Sequence, residues 1–110
     1  MVNYQSGQLD SVFAALSDAT RRGILVKLAE GGEVAVGDLA EDYTISAPAI
    51  SKHLRVLEKA GLITRERLGR FQMCRVQPVA MAEASSWLQT MGVFWNDRFD
   101  ALAQHLAQDE

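Results

Sequence analysis

The chain has 110 residues and a mass of 12.1 kDa, enough for one compact domain and too little for a second of ordinary size. Hydrophobic residues make up 48% and charged residues 23%, a globular balance that excludes wholesale disorder, and no uncharged run is long enough to cross a bilayer. The formal net charge is −3, which taken alone speaks against a nucleic-acid partner. The single cysteine, Cys74, excludes an intramolecular disulfide and a multi-cysteine zinc site. The opening MVNYQSGQLD has neither a basic n-region nor an apolar h-region, so the expected location is cytoplasmic and no membrane partner is expected.

In chain order, Leu9, Val12, Phe13 and Leu16 have the spacing of an amphipathic first helix over 8–17. Ser17-Asp18 supplies capping side chains for a second helix from Ala19 to Glu30, which carries Ile24, Leu25 and Leu28 on one face and stops at Gly31-Gly32. A short third helix follows over 36–42, with Leu39 and Ala40 inward, and then a turn at Tyr43-Thr44-Ile45. Ser46 opens the most informative segment, SAPAISKHLRVLEKAG: Ser46 is a good N-cap, Pro48 is tolerated in the first turn, and Gly61 is placed to end the helix in a left-handed conformation. Ile50, Leu54 and Leu57 form its apolar face, while Pro48, Lys52, Arg55 and Lys59 point within about 20–40° of the opposite direction. LITRERLGRFQMCRV reads as a two-stranded hairpin within 62–76, broken at Leu68-Gly69-Arg70; either Phe71/Met73 or Cys74/Val76 could face inward. From 79 to 107 the helical pattern returns, with Ala84, Leu88, Met91, Trp95, Phe99, Leu102 and Leu106 as a stripe that Trp87 and Phe94 widen. Gly92 interrupts this helix at a cost of about 1 kcal/mol relative to alanine, which points to a kink or a close helix contact.

The charge is not spread evenly. Residues 1–45 hold 3 basic and 7 acidic residues, and residues 77–110 hold 1 basic and 5 acidic, so each end carries −4. Residues 46–76 hold 7 basic residues (Lys52, Arg55, Lys59, Arg65, Arg67, Arg70 and Arg75) and 2 acidic ones, a net +5. The expected architecture is mainly α with a small β-hairpin: a single domain over 1–110, about five helices plus a two-stranded wing. Within it, 36–60 form a helix-turn-helix whose second helix is basic on its outer side. An α-helix fits the DNA major groove, and Lys and Arg on its outer face can meet phosphates or base edges. The hairpin, basic near its tip, would lie against the neighbouring backbone.

FAALSDATRRGILVKLAEG followed by VGDLAEDYTISAPAISKHLRVLEKAGLITRERLGR resembles the ArsR/SmtB family of bacterial winged helix-turn-helix regulators, from about Leu9 to Val76. The resemblance implies a homodimer built from the first and last helices, 8–17 and 79–107, that binds double-stranded operator DNA of two-fold symmetry and represses it. Its two reading helices would meet successive major grooves roughly 34 Å apart. The family reads DNA through the second helix of the motif, which implicates Ser46, Ala47, Ala49, Ser51, Lys52, His53 and Arg55 here, with Arg65, Arg67 and Arg70 on the wing. Ala47 and Ala49 stand where the family often has polar residues, which leaves fewer hydrogen bonds to bases and shifts the contact toward thymine methyls. Leu9, Val12 and Phe13, with Trp87, Met91, Phe94, Trp95, Phe99 and Leu102, are the candidates for the dimer interface; large aromatic residues are enriched in such surfaces. Arg21 and Arg22 could touch phosphate or pair with acids such as Asp18.

Other chemistries have thin support. The third-helix region EVAVGDLA lacks the family's cysteine pair, and Asp97, Asp100 and His105 on the last helix lack a second histidine and the ligand spacing, so no metal and no cofactor is expected. The paired thiols of a redox switch are missing; Cys74 is expected to be a half-buried strand residue, although Arg70 and Arg75 nearby could lower its pKa. A small-molecule effector stays open: the aromatic residues of the last helix could bind an organic molecule, although such stripes are usually core, and a repressor without an effector fits equally. Two histidines, one cysteine and no glycine-rich phosphate loop give no catalytic constellation, so an enzyme is not expected. The alternatives are a metal- or thiol-responsive repressor of the same family and a winged-helix module that binds protein.

Overall fold

The structure, a computed structural model, describes residues 3–108. The expected domain 1–110 therefore extends two residues beyond the described part at each end. The elements are α1 (Asn3–Leu16), α2 (Ala19–Gly31), β1 (Val34–Ala35), α3 (Val36–Asp42), α4 (Ala47–Lys59), β2 (Ile63–Leu68), β3 (Phe71–Val76) and α5 (Pro78–Gln108). The expected hairpin is formed by β2 and β3, and a third strand joins it to give an antiparallel sheet in the order β1-β3-β2. The extra strand is only two residues long, and it is held by pairing Val34 with Cys74 and Ala35 with Met73.

Local signals explain three helix ends. Asp18 accepts from the Arg21 amide at 3.1 Å, which caps α2 and holds its carboxyl below the usual carboxylate range. The Ser46 hydroxyl accepts from the Ala49 amide at 3.3 Å and caps α4. At the other end of α4, Gly61 (φ 78°) donates to the Glu58 carbonyl at 3.0 Å and Leu62 donates to the Leu57 carbonyl at 3.0 Å. This is a Schellman motif, and its apolar contact is supplied by Leu57 and Leu62, both fully buried. Between α3 and α4 the chain turns through Thr44 at φ 51°, and at the wing tip Gly69 takes φ 62°.

One core lies beneath α4. Ile50, Leu54 and Leu57 are fully buried among Ile24, Leu28, Leu39, Leu62, Ile63 and Cys74, so the apolar face read from sequence is the face that anchors the helix. The wing turns Cys74 and Val76 inward and leaves Phe71 in solvent, which resolves the strand-face ambiguity. Val12 is also fully buried in this core, so the expectation that it lies in a dimer interface is corrected: it has no surface left to offer a second chain.

Only the start of α5 belongs to the body of the domain. Ala80 and Ala84 are buried, and the Trp87 ring meets the Phe13 ring edge-on at 5.7 Å, which ties α5 to α1. Beyond Met91 every described residue is exposed, and the helix continues unbroken through Gly92 without the interruption considered from sequence. A helix of 31 residues is about 46 Å long, which accounts for the elongated 67 × 34 × 21 Å outline.

Candidate nucleic-acid interface

The basic residues of the block 46–76 divide by their partners. Arg65 lies on β2 and reaches back to α4, where its Nη2 and Nε donate to Glu58 Oε1 at 3.0 and 3.2 Å. Arg75 lies between Glu33 and Glu66, at 3.3 Å from each. The two acids of the block, Glu58 and Glu66, are thus held by two of its seven cations. Among the described residues the remaining five, Lys52, Arg55, Lys59, Arg67 and Arg70, make no ion pair. All five are exposed. The net +5 of the block is therefore carried by unpaired cations on one helix face and one hairpin, the arrangement that attracts a polyanion.

Lys52, Arg55 and Lys59 stand opposite Ile50, Leu54 and Leu57 on α4, so the residues that anchor the helix and those that face outward do not overlap. Ser46 and Ala47 are exposed at the N-terminal end of α4, while Ala49 and Ser51 are half-buried on its flanks. Lys59 shares the outward face and was missing from the candidate residues, although its position on the stripe was readable. Arg67 and Arg70 flank the tip of the wing, and the Arg70 guanidinium lies over the Phe71 ring at 5.7 Å from its centroid.

Two sequence expectations change here. Arg65 is a strut and not a free cation: its side chain is 18% exposed and its guanidinium is taken up by Glu58, which fixes the wing against α4. His53 faces back toward the domain. Its Nδ1 lies 3.3 Å from Arg21 Nη1 and 3.8 Å from Asp18 Oδ2, with the ring largely covered.

The pairing of Arg21 and Arg22 with acids considered from sequence is not their main contact: both side chains donate chiefly to main-chain carbonyls. Arg21 Nε donates to the Ala15 carbonyl at 2.6 Å and Nη2 to the Ala14 carbonyl at 3.2 Å, and Arg22 Nη1 donates to the Leu16 carbonyl at 2.7 Å. Both cap the C-terminal end of α1, where orphan carbonyls and the helix dipole favour cations.

Among the described residues no group of three or more His, Cys, Asp and Glu side chains is gathered where it could hold a metal ion. Cys74 is fully buried, and burial pushes its thiol up to about 11. Arg65 opposes that shift and is outweighed; the neighbouring Arg75 is turned to Glu33 and Glu66. The thiol therefore stays protonated at pH 8, where attack on a disulfide reagent needs the thiolate. In native protein at that pH, Ellman's reagent is expected to label Cys74 only on the timescale of unfolding, with rapid stoichiometric labelling in denaturant.

The partially buried α1 and α5 residues and the exposed ones form a second surface. Leu9, Phe13 and Met91 are half-buried, whereas Trp87, Phe94, Trp95, Phe99 and Leu102 are each 43–59% exposed. Leu88 and Leu106 add to the same exposed surface. No described helix is long and apolar enough to cross a membrane.

Comparison with known proteins gives this geometry a family. Residues 18–65, which run from the cap of α2 through α4 into β2, match the family described as "Bacterial regulatory protein, arsR family". The chain is 39% identical over 80 residues to the "Transcriptional repressor SdpR" of Bacillus subtilis (strain 168), covering 73% of this chain and 88% of that protein. Its fold matches the "ArsR-like Transcriptional Regulator from Rhodococcus sp. RHA1" with a TM-score of 0.79 and 33% identity, over 100% of this chain and 99% of the other. It also matches a Mycobacterium bovis protein, Mb0332, described as a homodimeric winged helix-turn-helix DNA-binding domain and possible ArsR-family regulator, with a TM-score of 0.68, 27% identity and 83% of each chain covered. With its winged helix-turn-helix and its relatives over most of their length, the chain belongs to the ArsR family of bacterial DNA-binding transcriptional regulators.

Proposed function

We propose that the protein is a homodimeric repressor that binds a two-fold symmetric operator in the bacterial cytoplasm, with the outer face of α4 in the major groove and the wing tip on the adjoining backbone. The observation that carries this reading is the set of five unpaired cations, three on one side of α4 and two on the wing, above a helix face committed wholly to the core. Ser46 and Ala47 lie at the leading end of that helix, where base edges come within reach, while Lys52, Arg55, Lys59, Arg67 and Arg70 neutralise phosphates. Arg65 and His53 act indirectly, by holding the wing and α4 in place. The exposed apolar residues of α5, with the half-buried Leu9 and Phe13 of α1, form the dimer surface. SdpR is itself described as a transcriptional repressor, which supports repression as the outcome. No catalytic step, metal or cofactor enters the reading.

The test is to select bound fragments of the source genome with the purified protein, then titrate a selected fragment at two salt concentrations. Selection of a palindromic sequence, bound with a steep loss of affinity between low and high salt, is the expected result. Salt-insensitive binding, or no selected sequence, would favour the protein-binding module.

A further inference from the structure

Gly92 lies in the middle of α5, where glycine weakens a helix and the chain itself supplies no reason for one. Its backbone φ is not in the left-handed region, and a Cβ built on it meets no atom within 4 Å. Neither conformation nor packing within the chain therefore calls for a missing side chain. At 100° per residue Gly92 falls within an arc of about 80° shared with Leu88, Trp95, Phe99, Leu102 and Leu106, all of them exposed. A glycine inside an exposed apolar stripe is what a closely approaching second backbone requires.

We propose that α5 of a second copy of this chain crosses α5 at Gly92, on the two-fold axis of the dimer. The proposal rests on the homodimer proposed above and adds the place where its helices touch. A second copy is the occupant that fits, because the arc holds no charged residue and so can face itself without burying unpaired charge. An isologous contact also brings the residue on the axis against its own counterpart, so one glycine opens both sides of the crossing. The large residues on either side, Leu88 and Trp95, then pack around the point of closest approach.

The test uses the full chain carrying Gly92→Cys, with Gln89→Cys, about 60° away from Gly92 on the same helix, as the control. Cys74 is buried, and the wild-type chain reports any cross-linking through it. Sedimentation establishes the oligomeric state, and disulfide cross-linking is then followed under mild oxidant. Cα atoms about 5.5–6 Å apart suit a disulfide, so a dimeric Gly92→Cys variant should cross-link at least about tenfold faster than Gln89→Cys. Gly92→Leu should sediment as a folded monomer with unchanged helix content. A Gly92→Cys variant that is itself monomeric while the wild type is dimeric also supports the crossing, since the added side chain then blocks it. A dimeric Gly92→Cys variant that cross-links no faster than the control, or a Gly92→Leu dimer as tight as wild type, overturns the crossing and leaves the homodimer standing. A wild-type chain that is monomeric at tens of micromolar overturns both.

Discussion

The Lys52→Ala, Arg55→Ala double variant is expected to lose on the order of a hundredfold in operator affinity at low salt while folding as well as wild type. Both side chains are exposed on α4, opposite its buried face, and neither makes an ion pair among the described residues. Their removal therefore leaves no buried group without a partner, and surface changes of this kind usually fall within about 0.5 kcal/mol of neutral in stability. In binding, each lost phosphate contact removes about one released counterion, and a dimer counts every substitution twice. The log–log salt dependence should become shallower by roughly 3 to 4 for the double variant. The affinity gap to wild type should accordingly narrow as salt rises. Anisotropy titrations across a salt series measure both quantities; an unchanged slope would mean that these residues do not meet phosphate.

Leu54→Ala is expected to give the opposite pattern on the same helix: a loss of about 3 kcal/mol in folding stability with little change in the affinity of whatever remains folded. Leu54 is fully buried, and so are its neighbours on the stripe, Ile50 and Leu57, and the facing Leu28 and Leu39. Removing three carbons there costs their transfer free energy and leaves a cavity that a tightly packed surround fills poorly. A domain of ordinary stability, about 5–15 kcal/mol, survives the loss but melts markedly earlier. Urea denaturation at matched protein concentration is the measurement, because dimerisation makes apparent stability depend on concentration. A loss below about 0.5 kcal/mol would contradict the burial of this face.

The helix-turn-helix was legible because its signals are local. Ile50, Leu54 and Leu57 recur within one helix, and Ser46 and Gly61 mark ends that the structure caps with the hydrogen bonds those residue types make. The third strand was not legible, since two residues carry no period and their partners, Met73 and Cys74, lie far along the chain. The cations show the same division. The basic block could be counted from sequence, but separating Arg65 and Arg75 from Arg67 and Arg70 needs the strand register and the reach of Glu58, Glu33 and Glu66. Arg21 and Arg22 fold back onto carbonyls six or seven residues earlier, a contact that depends on the angle between α1 and α2 and on nothing in their own spacing.

The dimer surface was legible only as composition. Leu9, Val12 and Phe13 share the face of one helix, and sequence periodicity cannot say which of them the chain's own core will claim. Val12 is taken into the core, Phe13 meets Trp87, and the exposed apolar side chains are left on the distal part of α5. The formal charge of −3 hides the same kind of division. Twelve of the fourteen acidic residues lie outside residues 46–76, and the five unpaired cations are grouped on α4 and the wing.

The central claim is that two copies of this basic face read one operator, and a hydroxyl-radical footprint of the purified protein on its selected site tests it most directly. The account predicts two equivalent protected patches, related by two-fold symmetry and separated by about one helical turn, roughly 34 Å. Both patches should disappear together in the Lys52→Ala, Arg55→Ala variant. A single asymmetric patch, or a symmetric footprint that the double variant leaves intact, would contradict it.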